Sequence, residues 1–91
     1  MNEKQQKVAQ RRIDTLYGRL RAKLDKVAET LAALNAAEAE AARAPTEERL
    51  RALLARDKAR VALASAQLKA HELAEEIVRA EEALRRATCK A

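Results

Sequence analysis

One residue in this chain is incompatible with the interior of a helix, and it stands at the middle. Pro45 is the only proline among 91 residues. It lacks the amide proton that an interior helical turn needs, and its ring pushes the preceding residue into extended backbone. A long helical pattern runs up to it from each side, so the chain reads as two helices joined by a break at Arg43-Ala44-Pro45-Thr46-Glu47.

Nothing else competes with helix. Ala, Leu, Glu, Lys, Arg and Gln dominate, with one Gly, one Tyr, no Phe and no Trp. Alanine and unbranched side chains lose little rotamer freedom in a helix, whereas strand formers and turn clusters are scarce, which excludes a sheet. Charged residues make up 36% of the chain. That would suit disorder, but the regular leucine spacing argues for folding. The expectation is an all-α fold, a single domain over residues 1–91. Helix 1 covers about 3–43, a turn 44–46 and helix 2 about 47–88. Thr46 is placed to cap helix 2, with Glu47 and Glu48 in the first turn where the helix dipole favours anions. A connection this short makes the helices antiparallel neighbours.

On helix 1 the large apolar residues are Ile13, Leu16, Leu20, Leu24, Val27, Leu31 and Leu34. Their mean spacing of about 3.5 is the coiled-coil value and predicts one left-handed seam. Gly18 is a weak point on this helix, a surface glycine or a place of close backbone approach. Folding at Pro45 sets Leu34 opposite Leu54, Val27 opposite Val61, Leu24 opposite Ala64 and Leu20 opposite Leu68. The helix 2 stripe expected to face helix 1 is therefore Leu50, Leu54, Asp57, Val61, Ala64, Leu68, His71, Glu75 and Val78. Its polar members define a polar seam of Tyr17, Asp57, His71 and Glu75. There His71 bonds Tyr17 or Glu75, Glu75 pairs with Arg11 or Arg12, and Asp57 pairs with Lys58 or Arg60. Such a layer fixes alignment at some cost in stability.

A second stripe lies on the opposite side of helix 2, counting about 100° per residue. It contains Leu63, Ala66, Ala70, Leu73, Ile77, Ala80, Leu84 and Ala87. So long an apolar column is not expected to face water, and a lone two-helix hairpin has little area to bury. Either helix 2 rotates against helix 1 past Leu68 or, as is expected, Leu63, Ala66, Ala70, Leu73, Ile77, Ala80 and Leu84 form an oligomer or partner interface. The architecture that follows is an antiparallel two-helix coiled-coil hairpin dimerising into a four-helix bundle.

The net charge of +5 is unevenly distributed. Residues 1–28 and 49–70 are basic, and residues 29–48 and 71–91 are acidic on balance. Antiparallel pairing sets each basic block against an acidic one, so much of the charge serves the hairpin itself. A flank of Arg12, Arg19, Lys23 and Lys26 is left over, near Lys58, Arg60 and Lys69, suited to phosphates or an acidic protein surface. No aromatic is placed to stack bases, and no zinc knuckle or helix-turn-helix is present.

No catalytic, cofactor-binding or metal site emerges. His71 and Glu75 form a helical i, i+4 pair, but no nucleophile with a base beside it, second histidine or pocket-forming element accompanies them. Cys89 has no partner cysteine and reads as an inert thiol of a reducing compartment. The polar N-terminal segment has no apolar run behind it, and no stretch approaches the ~20 apolar residues of a membrane span. A cytoplasmic protein with no membrane association and no small-molecule substrate is expected.

These features favour a non-enzymatic interaction or regulatory protein, a small basic adaptor that binds itself or another protein through helix faces. In layout alone, a dimerising hairpin of this size resembles the plasmid copy-number regulators of the Rop type. That resemblance implies a second possibility, a nucleic-acid-binding helper that contacts phosphates through Arg12, Arg19, Lys23 and Lys26. A third is a designed or purely structural helical bundle, suggested by the helix-ideal composition.

Overall fold

The computed structural model describes residues 1–89 as two helices, α1 (Glu3–Arg43) and α2 (Thr46–Cys89), packed along their length as an antiparallel hairpin. The molecule is a rod, 69 × 15 × 12 Å, with a radius of gyration of 20.3 Å. A globular chain of this length would have about 12 Å.

The ends are set by local chemistry. At the start of α1 the Asn2 Oδ1 accepts from the Gln5 amide at 2.8 Å, and the Gln5 Oε1 accepts from the Asn2 amide at 3.0 Å. This reciprocal capping box satisfies two donors that the first turn leaves free. At the break, Ala44 adopts extended backbone (φ −62°, ψ 134°), as the residue before a proline must. Helix α2 then begins at Thr46, with the Glu48 amide donating to the Pro45 carbonyl at 2.9 Å. Thr46 is thus the first helical residue and not a cap, one position earlier than its sequence suggests. Pro45 fills the preceding position, where its missing amide costs nothing.

The seam follows a strict heptad on both helices. Along α1 the residues that lose most exposure are Gln6, Ala9, Ile13, Leu16, Leu20, Val27, Thr30, Leu34, Ala37, Ala41 and Ala44. They alternate in steps of three and four, with exposed Lys23 the only interruption. Leu24 and Leu31 each stand one residue beyond this series, and remain 52% and 45% exposed. On α2 the matching series runs Ala52, Arg56, Ala59, Leu63, Ala66, Ala70, Leu73, Ile77, Ala80, Leu84 and Ala87. One of its two heptad positions is alanine at every turn except Leu73, so the helices can approach closely.

This reverses the facing expected for α2. The stripe expected to bind another chain is the one that packs against α1: Ala66, Ala70 and Ile77 are buried, and Leu63, Leu73, Ala80 and Leu84 are half-buried. The stripe expected to face α1 lies outside, with Leu50, Leu54, Val61, Leu68 and Val78 all exposed. The cause is electrostatic. Facing the other way, α2 would carry Asp57, His71 and Glu75 into the seam, and each unpaired buried ionisable group costs several kcal/mol. The stripe actually chosen has one charged member, Arg56. Its long stem reaches out so that the guanidinium pairs with Asp57 at 3.2 Å.

Candidate interaction surfaces

Three ties between the helices define two unlike sides of the rod. The Tyr17 hydroxyl donates to Glu81 at 3.0 Å, and Arg60 pairs with Glu38 at 3.7 Å. Tyr17 and Glu38 share one heptad column of α1 with Leu24 and Leu31; Arg60 and Glu81 share the facing column of α2. The third tie, Arg12 to Glu76 at 3.5 Å, belongs to the opposite flank, in one column with Arg19 and Lys26. These pairings are those of an antiparallel coiled coil, in which like flanking columns meet.

The first side is apolar. Tyr17, Leu24 and Leu31 recur at seven-residue intervals along α1 and are all about half exposed. Farther around α2, beyond the column of Arg60, Gln67 and Glu81, lie Leu50, Leu54, Val61, Leu68 and Val78, between 52% and 71% exposed. Single exposed leucines need no explanation, but regularly spaced series of them on both helices do. No periodicity search for a buried core would have marked them as a partner surface, because their spacing is as regular as that of the seam.

The residues expected as a polar seam lie on the outside. Asp57 pairs with Arg56 and, at 3.9 Å, with Arg60. His71 Nε2 stands 2.7 Å from Glu75, which also meets Arg79 at 3.9 Å. Glu75 therefore does not reach Arg11 or Arg12, and Tyr17 bonds Glu81 rather than His71. All four side chains are exposed, so they fix alignment only weakly, at about 0–1 kcal/mol per exposed pair. The bond to Glu81, whose carboxylate holds the phenolic proton, raises the Tyr17 pKa above its ordinary value of 10.0, with small further contributions from desolvation and the Glu81 charge.

The second side is basic. Lys23, Lys26 and Lys69 line a groove of about 520 Å³ floored by Ala22, Ala62 and Ala66, with Thr30 and Ser65 at its walls. Lys26 also meets Glu29 at 3.7 Å. Arg19, Lys23 and Lys69 make no ion pair among the described residues. The expected flank of Arg12, Arg19, Lys23 and Lys26 is thus one surface, though Arg12 is engaged by Glu76. Thr30 spends its hydroxyl on the carbonyls of Lys26 and Val27.

Among the described residues no three His, Cys, Asp or Glu side chains stand together to hold a metal ion. No helix there is long and apolar enough to cross a membrane. Cys89 is a free, exposed thiol. No family model matches the chain, and neither does any curated protein or solved structure.

Proposed function

We propose that this chain is a non-enzymatic interaction protein, a small basic helical-hairpin adaptor that regulates or assembles protein partners through its exposed helix faces. One observation carries this reading: Leu50, Leu54, Val61 and Leu68 on α2, and Leu24 and Leu31 on α1, are large apolar side chains left exposed. The surface area points the same way. The chain exposes 7067 Å², whereas a globular protein of 10.1 kDa exposes about 5300 Å². The surplus is about twice the ~800 Å² that each partner contributes to a standard protein interface. Helix-on-helix docking, with association of two hairpins into a four-helix bundle as its simplest form, covers such side chains.

The test compares Val61→Glu/Leu68→Glu with the parent chain. Both positions are exposed, so helicity is retained, while association measured by sedimentation or by capture of a purified partner is lost. Unchanged association in a folded double variant would refute the reading.

The lysine groove favours a second reading, a helper that grips the phosphates of a nucleic acid. With no aromatic in the groove, contact would be through backbone phosphates and would weaken steeply with salt. Filter binding of RNA and DNA at low ionic strength tests it, and Lys23→Glu/Lys69→Glu removes retention if it holds.

A further inference from the structure

We infer that the partner covering the outer face of α2 is a second copy of this chain, packed α2 against α2 in antiparallel fashion about a two-fold axis at Ala64. This deepens the interaction-protein reading and rests on it. The argument comes from the order of residues along the outer stripe, which is self-complementary about its centre. Under this axis Leu50 meets Val78 of the second copy and Asp57 meets His71, while Val61 lies level with Gln67, one residue short of Leu68. Ala64 meets itself, the small residue where the two backbones cross closest. Leu54 lies level with Ala74 and beside the aliphatic stem of Glu75, whose carboxylate meets His71 and Arg79.

The flanking charges fit the same axis. Lys58, beside the stripe, lies level with Ala70 of the second copy and about 3 Å along the axis from Glu72, within reach of its long side chain. The like-charged meeting of Arg51 with Arg79 falls at the ends, and Arg79 already meets Glu75 at 3.9 Å. A hetero-partner would require no such symmetry of apolar, acidic and basic positions about one residue. An isologous interface requires it, since every contact occurs twice. The stripe from Leu50 to Val78 spans about 42 Å at 1.5 Å per residue, long enough for a standard interface. The outward face of α1 is left free by this arrangement.

The decisive measurement is a set of spin–spin distances on single-cysteine variants in a Cys89→Ser background, labelled at positions flanking the stripe. Antiparallel packing about Ala64 separates a label from its copy by about 3 Å axially for each residue between it and the axis. Labels at Ser65→Cys should lie within about 20 Å of each other, and those at Arg51→Cys and Arg79→Cys about 40–45 Å apart. Distances that are equal at all three positions mean a parallel pair and overturn the inference. Distances shortest at Arg51 or Arg79 overturn the register in the same way. Either result leaves the adaptor reading standing, because association itself would have been seen. Sedimentation equilibrium supplies the second arm: the parent is expected as a dimer, and Val61→Lys, an exposed position that leaves helicity unchanged, as a monomer. A parent chain that is monomeric at the labelling concentration overturns the inference outright. The adaptor reading would then be judged separately by capture of a different protein on the same row.

Discussion

The orientation of α2 can be tested by deleting the same kind of side chain from its two faces. Ile77 is 3% exposed in the seam, and Leu68 is 57% exposed on the outer stripe. Ile77→Ala removes three buried carbon groups, about 2.4 kcal/mol at ~0.8 kcal/mol each. A residual cavity would add to this, but a seam between two helices can close partway, which puts the total near the low end of the usual range of about 2–5 kcal/mol. Leu68→Ala removes carbons that are already largely in water, and alanine recovers a little helix propensity, so the cost stays below ~1 kcal/mol in an isolated hairpin. The assay is urea unfolding followed by circular dichroism at 222 nm. With a slope of roughly 1–1.5 kcal/mol per molar for a chain of this size, Ile77→Ala lowers the midpoint by about 2 M. The measurement should be made over a range of protein concentrations. The Ile77→Ala penalty is intramolecular and does not change with dilution; any penalty from Leu68→Ala belongs to association and fades as the chain is diluted. If Leu68→Ala cost as much as Ile77→Ala at the lowest concentration, the facing of α2 described above would be wrong.

Other outcomes follow from single features. Gly18 is helical, and a Cβ built there meets nothing within 4 Å, so Gly18→Ala should raise stability by about 0.5–1 kcal/mol, read as a higher urea midpoint. Asn2→Ala removes the capping box of α1 and should cost about 0.5–2 kcal/mol, with the loss seen first as faster amide exchange in residues 3–6. Because Glu81 raises the Tyr17 pKa, phenolate absorbance should titrate with a midpoint above 10, and Glu81→Ala should bring it down. A folded-state pKa above the unfolded value means that this contact stabilises the fold below about pH 10 and loses its contribution as pH rises through the folded pKa. A midpoint unmoved by Glu81→Ala would show that the bond is not made in solution.

Most of the fold was legible from Pro45 outward. One proline between two helix-forming halves determines a hairpin, its antiparallel sense and its turn to within a residue or two. The axial levels were less legible: Leu20 is expected opposite Leu68, yet the ties Tyr17–Glu81 and Glu38–Arg60 set α2 residues farther from the turn abreast of α1. Rotation of α2 about its own axis is a separate degree of freedom, and counting residues from the turn leaves it undetermined. Leu50, Leu54, Val61 and Leu68 are larger than the alanines behind them, which is why hydrophobic size alone selects the wrong face. Counting ionisable residues selects the right one: Asp57, His71 and Glu75 on one stripe against Arg56 on the other. The count gives no help on α1, where exposed Lys23 stands in the alternation and Leu24 and Leu31 lie one residue outside it.

The surfaces were less legible because each depends on that rotation. Turning α2 to bury its alanine-rich stripe also decides what remains outside, and on which side. It turns Leu54, Val61 and Leu68 outward, away from α1, and it leaves Lys69 with Lys23 and Lys26 on one flank. An apolar side and a basic side are therefore not two independent inventions of the sequence; one packing choice separates them. That choice has a cost visible in the structure. By spending small residues on a close seam the chain buries few large ones, so Ile13, Leu16 and Ile77 are the only side chains larger than alanine that are buried among the described residues. A hairpin with so thin a core and so long an outer leucine row gains more from covering that row than from tightening its own seam, and this asymmetry is the physical reason to seek its function in association.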